Sequence, residues 1–196
     1  MPAAARVQRN PAEVIYADLM ARSSGAGNAA TFAGMIATRC DGGGALPPWL
    51  GLQPAAFHCL LDHLYPGTAA CVLPGISRPA VADRLEERGD EFDELVRLML
   101  MHRAGDDPSE VWMAHVVAAG CMAADHLWQD LGLPARGELT ALMRRNFPTL
   151  AARNVKDMKW KRFLYKQLCE AEGIYTCRAP SCQVCTDYHA CFGPED

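Results

Sequence analysis

Four thiols stand within fifteen residues near the end of the chain, in the stretch CRAPSCQVCTDYHAC. Their spacing is Cys177-x4-Cys182-x2-Cys185-x5-Cys191. Thiolates from one short loop can converge on a single metal site, and two chemistries suit them. One is tetrahedral zinc, whose structural sites are often built from four cysteines. The other is an iron–sulfur cluster, also held by cysteine thiolates. Zinc loops usually use two Cys-x2-Cys pairs separated by a longer stretch. Here a single x2 pair is flanked by gaps of four and five. A cuboidal cluster, with its metal corners spread apart, accepts such uneven gaps. The spacing favours iron–sulfur, with zinc and no metal as the alternatives. Pro180 stiffens the first gap, and Gly193 lets backbone approach closely after Cys191.

The chain around these thiols has 196 residues, half of them apolar, which suits one domain with a sizeable core. The remaining cysteines, Cys40, Cys59, Cys71, Cys121 and Cys169, are scattered singly and read as small buried side chains. An odd total of nine cysteines with no secretory signal points to a reducing cytoplasm. A formal net charge of -4 argues against wholesale nucleic-acid binding. The most apolar run, VWMAHVVAAGCMAADHLW, carries His115, Asp125 and His126 and reads as a buried helix of a soluble protein, not a membrane span.

The elements that must position the thiols are helical, and the expected fold class is mostly α: a compact helical domain carrying a C-terminal four-cysteine loop. The organisation reads as a partly helical segment over 1–50, a helical domain over 51–172 and the cysteine-rich loop over 173–196. NPAEVIYADLMAR and DDPSEVW open with cap-and-proline signals, and Asp107 is the expected N-cap of the second. A short helix is expected through ATFAGMIATR. Apolar residues at 57, 60, 61 and 64 have helical spacing, with Pro66-Gly67 as the stop. The strongest pattern lies between Arg78 and Arg103, with Gly89 in mid-run as a kink or close contact. The helix opened at Asp107 is expected to continue to about Leu131, where Gly132 ends it. RGELTALMRRNFP gives a further helix, and the last is expected over VKDMKWKRFLYKQLCEAEG. Only AACVLPGI hints at a strand.

The stretch MKWKRFLYKQLCEAEGIYTCRAPSCQVCTDYHACFG resembles the C-terminal signature of the NifQ family of nitrogen-fixation proteins. The stretches CMAADHLWQDLGLPARGELTALMRRNFPTLAARN and ERGDEFDELVRLMLMHR resemble that family as well. The resemblance runs from about Gly51 to Phe192. It implies a carrier of a molybdenum–iron–sulfur cluster, not an enzyme. Such a carrier gives molybdenum to the proteins that assemble the iron–molybdenum cofactor of nitrogenase, with molybdate or another molybdenum source upstream and neither nucleic acid nor membrane as partner. It implies Cys177, Cys182, Cys185 and Cys191 as the cluster ligands. Thiolates are soft and suit iron, whereas molybdenum in higher oxidation states also takes oxygen or nitrogen donors. His189, with Asp187 and Tyr188 beside it, is therefore a candidate ligand or a neighbour that orients one.

Two further sets of residues are candidates from their positions. His115 and His126 are eleven apart, which returns to within about 20° on a helix. Glu91 and His102 share that spacing, so two antiparallel helices are expected to bring all four into one metal- or molybdate-binding cluster, unless they are simply hydrogen-bonded boundary residues. Residues 153–172 hold six basic against three acidic side chains, and Lys159, Lys161 and Arg162 are candidates for an anion or an acidic partner. A DNA glycosylase with a C-terminal 4Fe–4S loop is a rival of a different class. The chain lacks the Gly-rich hairpin turn and following catalytic aspartate of those enzymes. Strong salt-dependent binding to duplex DNA distinguishes that rival.

Overall fold

A computed structural model describes residues 10–69, 73–76 and 88–171. Among them the chain forms nine α-helices and no strand: α1 (Pro11–Ala21), α2 (Ala29–Cys40), α3 (Pro54–Leu64), α4 (Gly89–Leu100), α5 (Pro108–Cys121), α6 (Leu127–Asp130), α7 (Arg136–Asn146), α8 (Pro148–Ala151) and α9 (Trp160–Ala171). The mostly helical class follows the sequence pattern. Local chemistry sets several starts. The Asn10 side chain accepts from the Ala12 N–H at 3.1 Å, and the Asp107 carboxylate accepts from the Ser109 N–H at 2.8 Å. Each is followed by a proline, whose missing N–H costs nothing at a first turn.

Helix α5 lies at the centre of the core. Met113, Ala114, Val116, Val117, Ala118, Ala119 and Cys121 are all buried, so the helix is covered on every side. Among the described residues no helix is long and apolar enough to cross a membrane. The four expected positions of α3, Phe57, Leu60, Leu61 and Leu64, are buried together. Helix α1 packs on α2, α4 on α5, and α9 on α4. At Gly120 a Cβ would stand 2.8 Å from Leu131 Cδ2 and 3.0 Å from Leu127 Cδ1, so any larger residue forces these leucine side chains to shift. A neutral cluster ties three helix ends together. Asn28 Nδ2 donates to Ser109 Oγ (2.8 Å) and to Asn146 Oδ1 (2.6 Å), and Asn146 Nδ2 donates back to Asn28 Oδ1 (3.1 Å).

Between Pro48 and Gly51 the chain turns with Trp49 at φ 50° and Leu50 at φ 61°. Left-handed backbone costs about 1–2 kcal/mol per non-glycine residue. Leu50 offsets this by being wholly buried, worth about 1.5–3 kcal/mol.

Three expected spans are corrected. Of the helix expected between Arg78 and Arg103, residues 78–87 lie outside the described residues; α4 begins at Gly89, after Arg88 at φ -125° and ψ 32°, and ends at Leu100. Gly89 is thus a first helical residue, not a mid-helix kink. The expected helix from Asp107 to Leu131 breaks after Cys121 and restarts at Leu127. The Ala123 carbonyl in the gap accepts from the Lys161 ammonium (2.9 Å), and His126 takes an extended conformation, ψ 140°, to begin α6. The last helix starts at Trp160, not near Val155. Asp157 has φ 49°, and the Asn154 side chain closes the preceding turn through both the N–H (2.8 Å) and the carbonyl (3.0 Å) of Met158. Of the strand hint AACVLPGI, residues 73–76 form turns and 70–72 lie outside the described residues.

Candidate metal centre and the helix that leads to it

Cys177, Cys182, Cys185, Cys191 and His189 lie outside the described residues, as does the expected stop at Gly173. The described chain ends at Ala171, the last residue of α9, six positions before the first of these cysteines. The described part of this region is the platform that fixes α9.

Helix α9 is held by three polar contacts set into an apolar interface. At its first residue, Trp160 Nε1 donates to Thr140 Oγ1 of α7 at 3.1 Å, and its indole meets Phe163 edge-on, centroids 5.6 Å apart. One residue on, the Lys161 ammonium forms a buried ion pair with the Asp130 carboxylate of α6. Asp130 is 2% exposed, so the pair is shielded from water on the carboxylate side. One turn further, the Tyr165 hydroxyl accepts from Arg88 Nη2 at 2.8 Å, and Arg88 makes a two-point contact with Glu91 at 2.7 and 2.5 Å. Tyr165 is itself 1% exposed.

These partners come from the three stretches that carry the family resemblance. Lys161 and Tyr165 lie in MKWKRFLYKQLCE, Asp130 in DHLWQDLGL, and Arg88 and Glu91 in ERGDEFDELV. The fold brings them together at the inner face of one helix, although they are up to 77 positions apart.

The electrostatics match a structural role for this network. Burial pushes the Asp130 carboxyl above its usual range, and the Lys161 ammonium beside it pulls the other way. Burial likewise raises the Tyr165 hydroxyl, keeping it neutral. The Cys121 thiol is pushed up to about 12 by burial, with Lys161 the largest opposing influence. Cys40 rises to about 11 for the same reason. Burial thus disfavours the thiolate form at both positions; Cys121 is buried, as its isolation in the sequence suggests, whereas Cys40 is half-buried. Cys169 is also buried. Cys59 departs from the expectation, because its side chain is exposed on α3, and Cys71 lies outside the described residues.

The expected Glu/His cluster does not form. Among the described residues no group of three or more His, Cys, Asp or Glu side chains can hold a metal ion. The end of α4 at Leu100 and the break after Cys121 remove the two continuous helices the idea needed. His102 lies beyond the end of α4, and His126 stands at the start of α6 instead of on α5. Each residue has other company. Glu91 faces Arg88. His102 Nδ1 lies 2.8 Å from Thr149 Oγ1, and burial with Arg153 nearby holds its imidazole below the usual value. His115 Nδ1 donates to the Val111 carbonyl (2.8 Å) and its ring tilts against Phe92. The His126 N–H donates to Gln129 Oε1 at 3.3 Å.

Lys161 was a candidate for anion or partner binding, and this too is corrected: Asp130 and the Ala123 carbonyl occupy it. Lys159 lies just before α9 and Arg162 lies on it, both half-buried. Sequence reasoning missed Asp130 as a functional partner. The signal available was a lone carboxylate inside an apolar stretch, which must find a cation if it is buried.

The family model NifQ matches residues 31–193, a span that includes all four clustered cysteines. A Protein NifQ of Azotobacter vinelandii is 46% identical over 167 residues, which cover 82% of this chain and 86% of that relative. A Protein NifQ of Rhodobacter capsulatus is 36% identical over 152 residues, covering 78% and 80%. A Protein NifQ of Klebsiella pneumoniae is 35% identical over 154 residues, covering 77% and 90%. No solved structure matches the chain.

Proposed function

The chain belongs to the NifQ family, whose name sets it among the nitrogen-fixation proteins, and from that premise we propose that it carries molybdenum within an iron–sulfur cluster and hands it to the proteins that assemble nitrogenase's iron–molybdenum cofactor. The observation that carries this reading is the set of four thiols, Cys177, Cys182, Cys185 and Cys191, lying inside the span the family model matches. Soft thiolates hold iron, and four from one short loop are enough for one cluster. Molybdenum, the cargo, takes a harder donor for which His189 is the nearest imidazole in sequence. A corner of the cluster with few protein donors leaves molybdenum easy to release.

The helical body supports this division of labour by its chemistry. Lys161 pairs with Asp130, and Arg88 with Glu91 and Tyr165, inside that body, so it serves as a scaffold that fixes α9, and the chemistry falls to the segment beyond. The reading assigns the protein to a reducing cytoplasm, where such thiols stay available for metal.

Metal and sulfide analysis of anaerobically purified protein tests this, wild type beside Cys185→Ala. Iron, sulfide and molybdenum together in the wild type, and their loss in the variant, are expected. Zinc alone in the wild type contradicts the reading.

A further inference from the structure

Beside the base of α9 lies a groove of about 330 Å³, lined by Arg153, Lys156, Met158, Phe163, Lys166 and Glu170 among others. Its floor is apolar, since Met158 and Phe163 are buried beneath it. Its rim carries three cations, Arg153, Lys156 and Lys166, against the single carboxylate of Glu170, which pairs with Lys166 at 3.5 Å and leaves a net positive rim on a protein whose net charge is -4. Next to it Val155 is 84% exposed, the most exposed large apolar side chain among the described residues. The wall is fixed rather than loose. Asn154 holds Met158 through two hydrogen bonds, and Arg136 grips Asp157 at 2.6 and 2.7 Å, securing the left-handed residue that turns the chain. On the opposite wall Arg153 Nη1 donates to Gln167 Oε1 (3.3 Å), and Gln167 Nε2 donates to Glu170 Oε2 (2.7 Å).

We propose that this groove is the docking surface for the molybdenum acceptor, receiving an acidic segment of that protein with an apolar residue seated on Met158 and Phe163. The proposal rests on the donor function above and names the surface through which it acts. Two features favour a protein segment over a small oxyanion. The groove is several times larger than a tetrahedral oxyanion. An oxyanion also has no use for the apolar floor or for Val155. A pre-formed wall reduces the ordering cost of association, and the rim charges accelerate encounter with an acidic surface. The location suits the task, because the same helix that forms one wall leads into the cysteine segment.

The test uses the full-length, metal-loaded protein and a purified nitrogenase cofactor-assembly protein that accepts molybdenum from it. Association is followed at low and raised salt for wild type, for the double variant K156E/K166E, and for Arg97→Glu, an exposed charge reversal on α4. The double variant is expected to associate at least about tenfold more slowly at low salt, to lose most of its salt dependence, and to keep the wild-type iron and molybdenum content. Arg97→Glu is expected to behave as wild type. Unchanged association in the double variant, or equal weakening by Arg97→Glu, overturns the groove while leaving the donor reading intact. Salt-sensitive capture of duplex DNA by wild type, lost in the double variant, also overturns it. A wild type that carries no molybdenum defeats the donor reading itself.

Discussion

Two polar clusters hold this fold together, one buried and one partly buried, and they differ in kind. Asn28, Ser109 and Asn146 form a neutral cluster where the starts of α2 and α5 meet the end of α7. Lys161, Asp130, Arg88 and Glu91 form a charged one under α9. The neutral cluster satisfies buried amide groups, Asn146 Nδ2 donating also to the Leu142 carbonyl (2.9 Å), and carries no net charge to desolvate. The charged cluster is costlier to assemble, because burying ions offsets much of their mutual attraction. What it supplies is a single position for α9. A hydrophobic face alone lets a helix slide or rotate, whereas Lys161 on Asp130 and Tyr165 on Arg88 fix both register and rotation. The difference teaches where the molecule needs definition: at the helix that precedes the cysteines.

The largest expected effect lies in the charged cluster. Lys161→Met strands Asp130 in the core, and Asp130→Asn strands Lys161. Each is expected to lower stability by about 3–5 kcal/mol. The double variant D130N/K161M is expected to recover most of that loss, since no buried charge remains unpaired. Urea unfolding of the four proteins reads the coupling directly. If the double variant is as unstable as the sum of the singles, the pair is not a closed unit.

The neutral cluster ranks second. Asn146→Ala leaves the Asn28 amide without its partner and is expected to cost about 1–3 kcal/mol. The contrast sharpens if iron and molybdenum content is measured on the same samples. At temperatures where both variants stay folded, Lys161→Met is expected to reduce metal content more than Asn146→Ala does. The reverse order would remove the special role assigned to α9.

The smallest effect concerns the turn ahead of α9. The Arg136 guanidinium beside Asp157 holds its carboxyl below the usual range. A depressed carboxylate contributes stability above its unfolded value, about 3.9, and loses it as pH falls through the native value. Asp157 is largely exposed, so the contribution is at most about 1 kcal/mol. Comparing wild type with Asp157→Asn, which tolerates the same left-handed backbone, is expected to show a gap at pH 7 that closes toward pH 3. A gap that persists at pH 3 assigns the effect to shape rather than charge.

Much of the fold was legible in the sequence because its causes are local. Asn10-Pro11 and Asp107-Pro108 announce helix starts, and Phe57, Leu60, Leu61 and Leu64 announce a buried face. The breaks were not legible, because their causes are distant. The gap after Cys121 depends on Lys161 taking the Ala123 carbonyl, 38 positions away. The fate of Lys161 itself depends on Asp130, 31 positions before it. A count of basic residues over 153–172 registers a positive segment, yet it cannot separate Lys161, spent inside, from Arg153, Lys156 and Lys166 at a groove. For the candidate site, the thiol spacing alone reached iron–sulfur with zinc as the alternative. The flanking stretches identified the family, and the fold shows those stretches meeting at α9.

The central claim is that molybdenum resides within an iron–sulfur cluster on this protein. Molybdenum-edge X-ray absorption of the anaerobically purified protein tests it most directly. Sulfur neighbours around molybdenum with iron in the next shell are predicted. A molybdenum surrounded only by oxygen, as in free molybdate, would contradict it.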